Sequence, residues 1–266
     1  MRSKDSPRLA GVVLAAGKGK RMKSRKAKVL HALGGRPMLW HVLRAMRTAG
    51  IRDVCVVTGF QAAAVRRVVR PLLEEIEFPL RVEWVNQHEQ LGTAHALMAA
   101  EPVFVGDDGE VPFEKTKRIL VVCGDVPLIR PATLEAFVRA HESEKVACSV
   151  MTTIPEKPGN YGRIVRGPDG DIESIVEARD ASETERAIRE INAGVYIFES
   201  PAVFRALQKV GCDNAKCEYY LTDVVAVLNA RGDRVMPFLV LDSLEVLGIN
   251  DRRELAGARE LIAARG

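Results

Sequence analysis

Between Leu14 and Lys28 the chain reads LAAGKGKRMKSRKAK. Gly17 and Gly19 directly follow an apolar run, and seven of the eleven residues from Lys18 to Lys28 are Lys or Arg. A glycine at the end of a strand lets backbone N–H groups come close to an anion, and basic side chains then neutralise it. That combination suits phosphate binding. Two familiar phosphate loops do not fit. A dinucleotide fingerprint needs a third glycine where Met22 stands, and no G-x-x-x-x-G-K-[ST] run is present. A solvated basic loop is the plain reading of such a stretch, and a nucleic-acid contact is a third; the lack of interleaved aromatic residues speaks against the last.

A second reactive group closes the apolar run RILVVCGD: Asp125 stands at a strand end, where open α/β sheets bind ligands. A strand-end turn aspartate is the bland alternative. No Ser–His or Cys–His pairing stands out, and the five histidines show no metal-ligand spacing. His31 and His41 are expected on a helix or loop surface, and Trp40 and Trp84 in the core. The five cysteines (55, 123, 148, 212 and 217) are odd in number, three of them in strand-like runs, which points to free thiols in a reducing compartment.

Elements must position these groups. Strand-like runs at 9–16, 54–59, 81–86, 118–125 and 145–154 alternate with helical patterns at 37–50, 62–76, 91–101 and 131–142. The helix over 62–76 should kink or break at Pro71. This β-α-β-α order predicts an α/β fold, Rossmann-like, with a mostly parallel sheet flanked by helices. Past about residue 155 the rhythm changes. Residues 161–177 read as two strands around a Gly-Pro-Asp-Gly turn, a small inserted β-hairpin lobe. A polar helix (182–190), a strand (193–199), helices at 201–210 and 219–231, a strand (235–241) and a terminal helix (about 251–265) follow. The stretch 104–117 reads as a surface loop. One domain over 1–266 is expected, with a lobe at about 155–240.

Composition narrows the classes. The chain has 266 residues, 47% apolar and 28% charged, with a net charge of +4 at pH 7. That is ordinary for a soluble globular protein and gives no ground for a nucleic-acid partner. The longest apolar runs fall far short of the ~20 residues that span a bilayer. The polar N-terminus MRSKDSPR has no apolar signal-peptide core. A cytoplasmic protein with no membrane partner is expected.

The pattern L-x-x-G-x-G-x-R followed by a Lys (Leu14, Gly17, Gly19, Arg21 and Lys28) resembles the nucleotidyltransferases that make nucleotide sugars. Eight further stretches, in order over nearly the whole chain, are similar to the uridyltransferase domain of bifunctional N-acetylglucosamine-1-phosphate uridyltransferases. They are KVLHALGGRPML (28–39), QHEQLGTAHA (87–96), GDVPLI (124–129), NYGRIV (160–165), SIVEARDA (174–181), INAGVY (191–196), EYYLTDVV (218–225) and GINDR (248–252).

The resemblance implies transfer of UMP from UTP to N-acetylglucosamine 1-phosphate. Two anionic reactants are then aligned and their charge neutralised, so no enzymatic nucleophile is needed. It implies Arg21 and Lys28 as catalytic cations, and Leu14, Ala15, Ala16, Gly17, Gln87, Gly92 and Thr93 at the nucleotide. It implies Gly124, Gly162, Glu177, Asn192, Tyr220 and Thr222 at the sugar, and Asp125 with Asn250 as Mg²⁺ ligands. Capping or core roles are the plain readings of Thr93, Asn250 and Tyr220, and a salt bridge to Arg179 that of Glu177. A pyrophosphorylase for another sugar 1-phosphate such as glucose 1-phosphate, or a catalytically silent nucleotide-sugar-binding regulator, are the alternative functions.

The chain departs from the family pattern at Lys20 (usually Thr), Ala27 (usually Pro), Ala178–Arg179 (a His–Lys-like pair) and Ala193 (usually Thr). Ala27 makes the placement of Lys28 the open question in the loop. No hexapeptide repeats of a left-handed β-helix appear, so neither acetyl transfer nor trimerisation through such a helix is expected; the oligomeric state is left open.

Overall fold

The computed structural model describes residues 8–77, 79–106 and 111–265. The N-terminal MRSKDSP lies outside the described residues. In chain order, β1 (Arg8–Ala15) is followed by the short pair β2 (Ala32–Leu33) and β3 (Arg36–Pro37), α1 (Met38–Thr48), β4 (Asp53–Thr58), α2 (Ala62–Leu72), β5 (Arg81–Asn86), α3 (Thr93–Ala99) and β6 (Thr116–Cys123). Then come α4 (Pro131–Ser143), β7 (Cys148–Thr153), β8 (Arg163–Arg166), β9 (Ile172–Val176), α5 (Glu183–Ala187) and β10 (Ile191–Glu199). The chain closes with α6 (Ser200–Leu207), α7 (Asp223–Asn229), β11 (Val235–Val240), α8 (Ser243–Val246) and α9 (Arg252–Arg265).

The main sheet has the order β11-β7-β10-β6-β1-β4-β5. β1 pairs in parallel with β4 and β6, β4 with β5, and β7 with β11; β10 runs antiparallel to both β6 and β7, and the antiparallel β8–β9 hairpin joins the sheet at β10. The expected mostly parallel sheet is therefore present. The tips of β1, β4, β5 and β6 open on one edge, and all the loops that follow them can share a cleft there.

Alternation along β1 explains the layering. Val13 and Ala15 face α1, α2 and α4, through Leu39, Val42, Leu43, Val65, Leu134 and Phe137. Ala10, Val12 and Leu14 face α3, α6 and α7, through Leu97, Phe204 and Leu228. A strand buried on both faces must be apolar throughout, which is why GVVLA shows no polar alternation. Each fully buried Leu, Val or Phe in these layers contributes roughly 1.5–3 kcal/mol. A third cluster of Met22, Leu33, Met38, Leu128, Ile249, Leu255 and Ala258 seats α9 beneath the glycine loop.

Some boundaries differ from the sequence expectations, for tertiary reasons. Pro71 falls one residue from the end of α2, so it interrupts only the last turn; the helix stops at Leu72 and a single 3₁₀ turn follows. The helix expected over 219–231 begins only at Asp223. Residues 219–221 are drawn off by the 91–94 segment: Tyr219 N–H donates to Leu91 O (2.7 Å), Ala94 N–H to Tyr219 O (2.9 Å) and Leu221 N–H to Thr93 Oγ1 (3.0 Å). The surface loop expected over 104–117 is also corrected. Residues 107–110 lie outside the described residues, but Phe104 and Phe113 are buried, their rings 5.7 Å apart, and β6 starts at Thr116. The polar helix over 182–190 shortens to Glu183–Ala187, opened by a capping box between Ser182 and Glu185.

One polar network crosses the sheet beneath these layers. Buried His141 of α4 places Nδ1 2.7 Å from Ser149 Oγ and Nε2 3.5 Å from Glu199 Oε1. Arg118 donates to Glu199 (2.9 Å) and to Glu142 (3.1 Å). Burial pushes the Glu199 carboxyl upward, but the hydrogen bonds from His141 and Arg118 outweigh it and hold the group below the usual carboxylate range. A group depressed in this way stabilises the fold above its unfolded pKa and loses that contribution as pH falls through its folded value. Glu199→Gln should therefore lower stability by up to about 1 kcal/mol near neutrality. In urea melts at stepped pH, that difference should shrink steadily below about pH 4.5; a difference that grew towards acid would contradict the assignment.

Candidate active site

The loop after β1 carries its glycines for geometric reasons. Gly19 has φ 65°, and a Cβ there would lie 2.6 Å from Lys28 Cβ, so only glycine lets the Lys28 side chain pass this closely. Among the described residues, the N–H groups of residues 17–21 are given to no backbone carbonyl. They are donors in search of an acceptor, beside Lys18, Lys20 and Arg21. Two clasps hold the rest of the basic run. Gln61 accepts from Ala27 N–H (2.9 Å) and donates to Arg25 O (2.7 Å), and Arg252 of α9 donates to Met22 O (3.1 Å) and Lys23 O (2.8 Å). The Ala27 N–H, which a proline would lack, is thus put to use in fixing the approach to Lys28.

Lys28 Nζ donates to Asp125 Oδ2 and, at 2.7 Å, to Asn250 Oδ1. Asp125 follows the tip of β6 in the turn Gly124–Asp125; Gly124 N–H donates to Leu14 O (2.9 Å), and a Cβ at Gly124 would press on Val29 and Ala15. Asn250 precedes α9. The two segments are joined by Ile249 N–H donating to Asp125 O (2.8 Å). Asn250 Nδ2 donates to Gly248 O (2.8 Å), which turns Oδ1 towards Lys28 and Asp125. Tyr161 braces the same turn, its hydroxyl accepting from Gly248 N–H (3.1 Å) and donating to Gly248 O (3.3 Å). Burial first, then the Asp125 and Glu254 carboxylates, push the Tyr161 phenol up to about 12, so it stays a neutral brace.

The fit to a divalent ion follows from this convergence. A carboxylate and an amide carbonyl reach one positive centre, the ammonium, and both are hard oxygen donors of the kind Mg²⁺ takes. Among the described residues there is no cluster of three or more His, Cys, Asp or Glu, so an ion held here would draw its other ligands from phosphate and water.

On the far side of Gly17, Gln87 Nε2 donates to Gly92 O (3.0 Å) and lies 3.0 Å from His95 Nδ1, which leaves Oε1 as the free acceptor. Gly92 has φ 117°, and a Cβ would sit 2.4 Å from Tyr219 O. Thr93 opens α3, and its hydroxyl oxygen accepts from Leu221 N–H. Around Glu177, Thr222 Oγ1 donates at 3.4 Å, and a Cβ on Gly162 would lie 3.6 Å from Glu177 Oε1. Burial pushes the Glu177 carboxyl up, countered by the Lys216 charge and the Thr222 hydrogen bond. Tyr220 is buried, and its hydroxyl finds no hydrogen-bond partner among the described residues.

A single cleft of about 960 Å³ gathers most of these groups. Its lining takes in Leu14, Ala15, Ala16, Gly17, Arg21, Lys28, Gln87, Gly92, Thr93, Asp125, Glu177, Tyr220 and Asn250. Gly124, Gly162, Asn192 and Thr222 stand behind the lining. Asn192 is committed inward, donating to Tyr196 Oη (2.6 Å) and accepting from Gly194 N–H (2.8 Å). Residues the sequence did not single out also line the cleft: Asn160, Lys216 and Glu218, with Cys123. Burial pushes the Cys123 thiol up to about 12, which removes it as a nucleophile near neutrality. Only the Asn–Tyr pair in NYGRIV hinted at Asn160 and Tyr161, and nothing local marks Lys216.

A family profile described as the MobA-like NTP transferase domain matches residues 11–216. The chain is 45% identical over 250 residues to the bifunctional protein GlmU of Geobacter metallireducens, an alignment covering 94% of this chain and 49% of that protein. It is 44% identical over 254 residues to the bifunctional protein GlmU of Heliobacterium modesticaldum, covering 96% and 52%. The chain thus spans about half the length of the curated relatives it matches. A solved UDP-glucose pyrophosphorylase complexed with UDP-glucose superposes with a TM-score of 0.74 at 16% identity, covering 97% of this chain and 99% of that one, which establishes the fold alone.

The Gly92 geometry predicts its own test. Gly92→Ala must part the 91–94 and 219–221 segments or force a strained φ, at a cost of roughly 2–4 kcal/mol. A urea-melt difference below 0.5 kcal/mol, a threshold of roughly the size expected for neutral surface changes, would show that the close approach is not needed.

Proposed function

Because the chain belongs to the family of MobA-like NTP transferase domains, we propose that it transfers UMP from UTP to N-acetyl-α-D-glucosamine 1-phosphate, giving UDP-N-acetylglucosamine and pyrophosphate. The observation that carries this reading is the single cleft that brings a cationic glycine loop, the Asp125–Asn250 oxygen pair and the Glu177–Tyr220 wall together. In the reaction an oxygen of the sugar phosphate attacks the α-phosphorus of UTP. The bond from that phosphorus to the bridging oxygen breaks, and pyrophosphate leaves with its electron pair. The acceptor is already an anion, so what the chain must supply is alignment and charge neutralisation.

Roles follow from donor and acceptor chemistry. The N–H groups of residues 17–21, given to no backbone carbonyl among the described residues, take the triphosphate with Arg21. Gln87 Oε1 accepts from the N3–H of uracil, with Gly92 leaving space for the ring and Thr93 holding the 219–221 segment in place. Glu177 accepts from sugar hydroxyls and the acetamido N–H, Tyr220 flanks it in the same wall, and Gly162, Asn192 and Thr222 support them from behind. Lys28 neutralises charge on the phosphates. Asp125 and Asn250 would hold Mg²⁺, which when bound supplies further neutralisation of phosphate charge. Residues from about 155 to 240 form the sugar lobe. No helix among the described residues is long and apolar enough to cross a membrane; a cytoplasmic setting, with UTP and the sugar phosphate as partners, completes the proposal.

Pyrophosphate release from UTP, Mg²⁺ and N-acetylglucosamine 1-phosphate tests the reading, with glucose 1-phosphate as competitor. Preference for glucose 1-phosphate, or UDP-N-acetylglucosamine binding without any pyrophosphate release, would replace it. Lys28→Ala should cut turnover by roughly 10²–10³. A loss under about fivefold in a folded variant would remove Lys28 from the charge-stabilising role.

A further inference from the structure

Gln87 meets the base in the reading above, yet an amide that swaps its oxygen and nitrogen reverses what it can recognise. Two acceptors fix the choice. Gln87 is 3% exposed, and its backbone is tied on both sides: its N–H donates to Thr58 O (2.7 Å) and its carbonyl accepts from Gln90 Nε2 (3.3 Å). Its side-chain Nε2 donates to Gly92 O (3.0 Å), an oxygen that can only accept, and lies 3.0 Å from His95 Nδ1. The amide has a second proton, and His95 Nδ1 is the group within reach of it. Oε1 accepts from no group among the described residues and is not sealed from solvent, so it opens on the cleft that Gln87 lines.

The same contact sets the state of the imidazole. Two donors cannot share it, so Nδ1 carries the lone pair and Nε2 the proton. His95 is placed by α3, whose start is bound to the 219–221 segment: Ala94 N–H donates to Tyr219 O (2.9 Å), and Thr93 Oγ1 accepts from Leu221 N–H (3.0 Å). Its ring lies against that of Tyr219, the centroids 6.3 Å apart and the planes tilted by 32°. Gly92 O alone would let the amide swing about a single hydrogen bond. The second anchor fixes the amide plane, and with it the direction of Oε1. Gly92 O belongs to the backbone, so His95 is the anchor that a side-chain substitution can remove.

We propose that His95 is a positioning residue that sets the base preference of the cleft. Its Nδ1 lone pair, together with Gly92 O, occupies both amide protons of Gln87 and leaves only an acceptor for the base. The cleft then takes a pyrimidine with an N–H at ring position 3, as in uracil, and turns away cytosine, whose N3 is itself an acceptor. Two acceptors face to face leave both unpaired in a site shielded from water, where a missing hydrogen bond discriminates most. Without His95 the amide keeps one anchor and has a proton to spare, so it can turn a donor to cytosine N3. The inference rests on the reading of this cleft as a UTP site.

Two measurements test it. The first needs no nucleotide: ¹⁵N NMR of histidine-labelled protein at pH 8, with the His95 signals identified by their loss in His95→Asn. Nδ1 should show the shift of an unprotonated ring nitrogen that accepts a hydrogen bond, and Nε2 that of a protonated one. A proton on Nδ1 overturns the proposal. The second is Kd for UTP and for CTP in the presence of Mg²⁺, by calorimetry. The preference for UTP over CTP should fall roughly tenfold in His95→Leu, the scale of one buried hydrogen bond, and stay within about threefold of wild type in His95→Asn, whose Oδ1 can stand in for Nδ1. In a Gln87→Ala background, His95→Leu should change the preference no further. An unchanged preference in His95→Leu, equal weakening of both nucleotides, or a further change in that background overturns it. Absence of turnover with any sugar phosphate would sink the acceptor assignment, and the two affinities would still decide the role of His95; wild type that binds neither nucleotide would sink both.

Discussion

The ion pair of Lys28 with Asp125 is where three distant parts of the chain meet. Lys28 comes from the glycine loop, Asp125 from the tip of β6, and Asn250 from the turn before α9. Their side chains are mostly shielded, with 12% and 21% of Lys28 and Asp125 exposed, so neither charge is well solvated without the other. A partly buried charge must be paired, and pairing demands that the backbones carrying it be fixed. Much of the surrounding detail follows from that demand. The Gln61 clasp on Arg25 and Ala27, the Arg252 clasp on Met22 and Lys23, and the Tyr161 brace on Gly248 all immobilise backbone next to one of the three residues.

The parallel sheet makes this convergence possible. Because β1, β4, β5 and β6 run the same way, the turns at Gly17, Gly59, Gln87 and Asp125 emerge at one edge. Backbone bonds knit these turns to one another: Phe60 N–H donates to Ala16 O (3.0 Å), Gln87 N–H to Thr58 O (2.7 Å) and Gly124 N–H to Leu14 O (2.9 Å). The loop amides facing the cleft thus keep their direction before any ligand arrives. Preorganised donors of this kind need no reorientation when charge develops on a reacting phosphate.

What was legible in the sequence was whatever is written in local pattern. The both-face burial of GVVLA, the helical spacing in 38–48 and the Gly-Pro-Asp-Gly turn report their elements without help from the rest of the chain. The glycines after β1 and the aspartate after β6 were legible because strand ends are where such residues become useful. Tertiary bonds wrote the rest. Residues 219–222 have a helical pattern but are claimed by Leu91, Thr93 and Ala94. Phe104 and Phe113 look like loop residues among Gly and Asp, yet they pack on Phe204 and on each other. Gln61 and Tyr161 act on partners from 34 to more than 80 residues away, and no spacing rule reaches that far. Ala27 is instructive in the opposite sense: the missing proline suggested a looser lysine, while the N–H it exposes is what Gln61 binds.

The two sides of the cleft are built on different principles. The side of the glycine loop, the proposed triphosphate side, rests on the tips of central strands, packed on both faces by helices. The side around Glu177, the proposed acceptor side, rests on the β8–β9 hairpin, the bulged start of β10 and the 214–222 loop. There, order comes from side-chain clasps: Asn192 on Gly194, Asn214 on Lys216 and Glu218, and Asp180 on Ala215. A substitution on the first side disturbs the sheet core; one on the second changes a clasp or a lining group and leaves the layers intact. Ala178, Arg179 and Ala193, three departures from the family pattern, fall on the second side, as does Lys216. Under the proposed assignment, acceptor recognition can vary while the phosphate side stays fixed, because the forces that hold the two sides are separable.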